Sequence, residues 1–244
     1  MASVLVTGSS GRIGRSVVTE LVRRGHAVRG FDLAPSVGLP DFVQGSLTDR
    51  AAVDRAMRGI EILVHLAATP DDADFLTELL PNNLLGVYHV LESARLAGFR
   101  RMILASSGQV NWWQGQRGEL PLNPSDPPTP KSWYAATKLF LEGIGRSFSE
   151  VHGLSVIVAR LGWCPRTEEQ RQEIAAADWA QNVYLSPGDA GRFFACAVEA
   201  PETVRFALIN AAGRPKHREH FDMTSARELL GYEPRDVWPE GLDG

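Results

Sequence analysis

A chain of 244 residues is long enough for one large α/β domain and too short for two full domains with a linker. With 44% hydrophobic and 22% charged residues it can bury a sizeable core, which excludes disordered, collagen-like and coiled-coil chains. Lys and Arg number 25 against 29 Asp and Glu, a net charge of −4 without a basic block. Nucleic acid and anionic membrane are therefore not the expected partners, and a small molecule is.

The two cysteines, Cys164 and Cys196, have neither CxxC nor His-paired spacing, so no metal site and no disulfide framework is expected. The start of the chain carries no basic leader, and no stretch reaches the roughly 18 apolar residues of a membrane span, which together set the expectation of a cytoplasmic protein.

Short apolar runs alternate with amphipathic stretches, the pattern of βαβ units winding a parallel sheet. Strands are expected at Val4 to Thr7, Ala27 to Phe31, Phe42 to Gln44, Ile62 to His65, Met102 to Ala105, Ser155 to Leu161 and Arg205 to Asn210. Helices are expected at Arg12 to Arg24, Arg50 to Met57, Ser132 to Val151, Pro187 to Glu199 and Thr224 to Leu230, with a long helix that begins near Asp72 and is kinked or restarted at Pro81 before running from Asn82 to Leu96. Gly108 to Pro130 reads as a long functional or mobile loop. The reading is one doubly wound Rossmann-type α/β domain over 1–244, with a small substrate cap within 162–187 and 211–244.

Thr7-Gly8-Ser9-Ser10-Gly11-Arg12-Ile13-Gly14 follows the first strand and opens a helix, the context in which helix amides face a pyrophosphate. Asp32, closing the second strand, is placed to accept from adenosine ribose hydroxyls and to repel a 2′-phosphate, so NAD is expected over NADP. Tyr134 and Lys138 lie one helical turn apart, an arrangement in which an ammonium favours a phenolate base. Ser106 and Ser107 end a strand at the sheet edge where ligands bind, and a hydroxyl there can orient a substrate oxygen.

These motifs, with His65-Leu66-Ala67-Ala68, Asn83 and Tyr134-Ala-Ala-Thr-Lys138, resemble the extended short-chain dehydrogenase/reductases, the NAD-dependent epimerase/dehydratase family, over nearly the whole chain. Within that branch Leu84 to Ala94, Leu104 to Ser107 and Arg160-Leu-Gly-Trp-Cys164 are most similar to the uronate dehydrogenases. The resemblance implies a catalytic set of Ser107, Tyr134 and Lys138. It implies cofactor contacts from Gly8, Ser10, Gly11, Arg12, Ile13, Gly14, Asp32, Leu47, Leu66, Ala67, Ala68 and Asn83, as well as from Tyr134 and Lys138. It implies substrate contacts from Ser107, Gly108, Gln109 and Arg171, with Arg166 as the alternative cation for a carboxylate.

The chain departs from the uronate dehydrogenases in carrying Gly108-Gln109 for their Asn-His and Pro70 for a serine. The activity implied is NAD-dependent oxidation of a hydroxyl on a small sugar or sugar acid. The alternatives are an epimerase or dehydratase with resident NAD and a non-catalytic dinucleotide-binding regulator. A homodimer or higher homo-oligomer is the implied assembly. Trp112 and Trp113 either wall the pocket or pin their loop, and His217 and His220 read as surface or packing residues.

Overall fold

Residues 1–36 and 38–242 are described by a computed structural model. Among them, seven strands form one sheet: β1 (Ser3–Thr7), β2 (Ala27–Asp32), β3 (Phe42–Gln44), β4 (Ile62–His65), β5 (Arg101–Ser107), β6 (Ser155–Leu161) and β7 (Phe206–Ala211). All pair in parallel, in the order β3-β2-β1-β4-β5-β6-β7. The order reverses between β1 and β4, which opens a crevice at the carboxyl ends of the strands, the place where doubly wound sheets bind ligands.

Both faces of the sheet are covered, so its strands are apolar throughout. Val4, Val6, Val64, Ile103 and Ile157 pack under α1 (Arg12–Arg23) and α8 (Pro187–Glu199). The alternate residues Leu5, Leu63, Leu104 and Val158 pack under α2 (Arg50–Met57), α3 (Gly86–Leu96) and α5 (Trp133–His152).

Two stretches fold more specifically than their sequence indicates. Of the two readings at Pro81, the kinked or the restarted helix, the structure has the continuous one, since Phe75–Leu85 winds as a π-helix that runs directly into α3, with the Gly86 N–H donating to the Pro81 carbonyl. The wider turn accommodates the proline ring that a regular α-turn would exclude. Residues 108–130 are folded: Gly108–Asn111 is a 3₁₀ turn, α4 spans Trp112–Gln116, and Leu122 bridges to Phe221. Buried Gln114, which donates to Asp126 at 2.7 Å, supplies the polar anchor that the proline-rich sequence conceals. The segment 162–187 holds α6 (Glu168–Ala175) and α7 (Asp178–Asn182). Ile174, Ala180 and Tyr184 from this segment form a small satellite core with Trp238 of the C-terminal tail. The tail is pinned where buried Asp189 accepts the N–H groups of Arg235 and Asp236, both at 2.9 Å.

Candidate active site

The turn after β1 brings backbone against backbone. A Cβ on Gly14 would stand 2.0 Å from the Gly8 carbonyl, and Gly8, at φ +75°, approaches the Ala67 nitrogen so closely that a Cβ would sit 2.8 Å from it. Only glycine meets both constraints. Gly11 precedes α1 and offers no side chain as a cap, which leaves first-turn amides directed at the crevice. At the end of β2, Asp32 accepts the N–H of Ser10 at 2.9 Å and of Ala34 at 3.1 Å, so its carboxylate is held in one orientation. Each of its oxygens retains a lone pair for a further donor.

These groups, with Ile13, Leu47, Leu66, Ala67 and Ala68, line a cleft of about 610 Å³. Uncapped amides, a backbone turn without side chains and an oriented carboxylate fit a dinucleotide. Two residues of the expected cofactor set stand differently. Arg12 lines the cleft but sends its guanidinium to the Leu242 carbonyl. Asn83 is buried behind the wall, accepting from the Thr69 N–H at 2.8 Å and donating to Thr137 Oγ1 at 3.2 Å, so it positions the Thr69 segment.

A second cavity of about 470 Å³ adjoins this cleft, sharing Ile13, Leu66, Ala68, Cys164 and Arg166 with it. Ser107, Gly108, Gln109, Tyr134 and Lys138 all line it. Ser132 caps α5, whose first turn is also tied by the Tyr134 N–H to Asp72 Oδ1 at 3.1 Å. Lys138, one turn on, donates from Nζ to the Ala105 carbonyl at 2.9 Å and stands 5.6 Å from the Tyr134 ring centroid. Ser107 Oγ, at the end of β5, accepts the N–H of Gln109 at 3.2 Å.

Burial pushes the Tyr134 phenol up to about 12, with the Asp71 carboxylate adding to the rise and Ser107 and Arg166 opposing it. In the protein alone, then, desolvation outweighs the depression expected from Lys138. Lys138 is itself brought down to about 8 by burial, against support from Glu142.

Arg171 does not reach either cavity; it pairs with Glu168 on its own helix at 3.5 Å. Arg166, the alternative, lines both cavities and pairs with Asp71. Trp112 belongs to the cavity wall, whereas Trp113 is half exposed and outside it. Trp163 and Trp179 complete an aromatic group, Trp179 lying edge-on to Trp112 at 5.3 Å and stacked on Trp163 at 6.0 Å. His220, read from sequence as a surface or packing residue, is buried on this wall, and burial lowers its pKa to about 4, which keeps it neutral. No spacing in the sequence marks it, since it arrives from the C-terminal tail. Cys164 also lines the wall, its thiol pushed up to about 11 by burial.

A dinucleotide cleft and a Ser, Tyr and Lys set gathered on one sheet edge define the protein as a short-chain dehydrogenase/reductase of the extended type. A model of the NAD dependent epimerase/dehydratase family matches residues 4–181, and the chain belongs to that family. L-arabinose 1-dehydrogenase (NAD(P)(+)) of Haloferax volcanii is 32% identical over 250 residues, 97% of each chain. Uronate dehydrogenase of Pseudomonas syringae is 28% identical over 204 residues, 82% of this chain and 70% of that one. A solved structure of a mutant uronate dehydrogenase from Agrobacterium tumefaciens complexed with NAD matches with a TM-score of 0.81. It is 24% identical, covering 97% of this chain and 85% of that one, a likeness of fold.

Proposed function

We propose that this protein is an NAD-dependent dehydrogenase that oxidises a hydroxyl of a small sugar or sugar acid. The observation that carries the reading is the meeting of Ser107, Tyr134 and Lys138 on a cavity of monosaccharide scale that opens onto the dinucleotide cleft. The near full-length likeness to a sugar dehydrogenase supports the substrate class.

The glycine turn holds the pyrophosphate, Asp32 the adenosine ribose, and Lys138 the nicotinamide ribose. When bound, oxidised NAD supplies the hydride acceptor and a positive charge that favours the phenolate. Ser107 orients the substrate hydroxyl, Tyr134 takes its proton, and Lys138 stabilises the phenolate. The segments 162–187 and 211–242 act as the substrate cap, with Trp163, Trp179, His220 and Phe221 shaping its inner surface. Leu76, Tyr88 and Phe140, large apolar residues exposed on the π-helix, α3 and α5, mark the face proposed for a homodimer. A reducing, cytoplasmic setting is in keeping with two unpaired cysteines.

The test is formation of reduced cofactor at 340 nm with NAD or NADP across aldoses, uronates and secondary alcohols. Net reduction of added cofactor by a sugar is the expected result. Resident cofactor with interconversion of sugars and no net NADH would instead indicate an epimerase. Asp32→Ala is expected to lower the NAD-to-NADP ratio of kcat/KM roughly 10- to 100-fold, the worth of a charged hydrogen bond lost and a 2′-phosphate repulsion removed. An unchanged ratio in steady-state kinetics would remove Asp32 from cofactor selection.

A further inference from the structure

The cation on the substrate cavity that is placed to meet a sugar carboxylate, Arg166, already has an anion. Its guanidinium bonds Asp71 Oδ2, and Gln109 Nε2 donates to Asp71 Oδ1 at 3.0 Å. The Asp71 carboxylate is partly exposed, and its backbone is anchored. On one side the Thr69 N–H is held by Asn83, and on the other Asp72 accepts the N–H of Tyr134. Asp71 itself sits at φ +61°, a left-handed conformation that Asp tolerates better than most residues. The segment between β4 and the π-helix is thereby fixed to the base of α5, and it holds the carboxylate on the cavity wall.

The other charged groups on that wall are Glu173, Lys138, which is engaged with the Ala105 carbonyl, and Lys131, whose ammonium lies 4.3 Å from the Trp112 ring centroid.

Building on the dehydrogenase reading, we infer that Asp71 is a specificity-determining residue that reserves this cavity for an uncharged sugar, a neutral aldose, and turns uronates away. A uronate carboxylate brought to Arg166 enters the field of Asp71, so attraction and repulsion offset while the carboxylate still gives up part of its hydration at this partly exposed pair. A neutral ring incurs no such cost. Its hydroxyls meet Gln109 and Asp71 as hydrogen-bonding partners, and its apolar face has Trp112, Trp163 and Trp179 to lie against.

The test compares galactose with galacturonate and glucose with glucuronate by two readouts: NADH at 340 nm and quenching of tryptophan fluorescence with NAD present. The expected result is a kcat/KM at least tenfold higher for each aldose than for its uronate, with the same order in the quenching titrations. Asp71→Asn keeps the shape and the left-handed backbone, and it should raise the uronate-to-aldose ratio at least tenfold. A wild-type preference for uronates, or a ratio unmoved in Asp71→Asn, would overturn the inference. If no sugar yields NADH the dehydrogenase reading fails separately. Quenching by aldoses alone would still uphold charge selection, whereas quenching by uronates, or by no sugar at all, would overturn it.

Discussion

Tyr134→Phe is expected to lower kcat by roughly 10²- to 10⁴-fold while leaving NAD affinity nearly unchanged, the loss typical of removing a positioned acid/base group. The phenol lines the substrate cavity and is absent from the dinucleotide cleft, while the backbone of Tyr134 keeps its tie to Asp72 when the hydroxyl is removed. Chemistry and cofactor binding therefore separate in this variant, which single-turnover rates and NAD titration would show. A wild-type rate would contradict the assignment.

The pH dependence has a definite sign. Burial and Asp71 push the phenol up to about 12, so oxidation accelerates as pH rises and the proton is lost. Lys138, brought to about 8, is a cation below that pH and neutral above it, so the rise levels off as pH climbs past 8 and its help to the phenolate is withdrawn. Asp71→Asn removes a negative neighbour of the phenol and should move the ascending limb to lower pH. A limb unmoved in the kcat/KM profile would show that Asp71 does not act on Tyr134.

The second large effect is on stability. Glu142→Ala is expected to cost about 3–5 kcal/mol and to lower Tm by roughly 10 °C. Glu142 is buried on α5, where it pairs with buried Arg160 of β6 through Oε1 at 2.9 Å and Oε2 at 2.7 Å, and accepts from Ser106 Oγ at 2.6 Å. Arg160 continues the network to Asn111 and to the Pro124 carbonyl. Removing the carboxylate strands a guanidinium away from water, which costs far more than the net worth of the intact pair. Glu142→Leu combined with Arg160→Met should be milder than Glu142→Ala alone. Thermal melts that order the two variants the other way would show that the pair is not the source of the loss. Because Glu142 also supports the charge on Lys138, Glu142→Gln should bring the pH at which that rise levels off below 8.

What the sequence made legible is local. The glycine turn, Asp32 at a strand end, and Tyr134 and Lys138 one turn apart each need only their own element to be placed correctly, and the sheet then gathers them at its carboxyl edge. What it concealed depends on distant segments meeting. Arg171 and Arg166 are separated by less than two helical turns, and only the capped start of α6 decides that Arg166 enters the cavity while Arg171 turns to Glu168. His220 and Phe221 reach the wall because Leu122 bridges to Phe221 outside the sheet, a pairing without periodicity in either partner. Asp71 had a readable signal, since it lies shortly after β4 at the edge where ligands bind, but its pairing with Arg166 required the fold. Pro81 signalled an irregular helix, but the proline rule assumes α geometry and could not specify the π-helix that accommodates it.

The most direct measurement uses an aldose deuterated at the anomeric carbon, incubated with protein and NAD, followed by mass spectrometry of cofactor and sugar. Deuterium accumulating in reduced NAD, in step with oxidised sugar, is the expected result for a dehydrogenase acting at that carbon. Deuterium retained in the sugar without net NADH would contradict it.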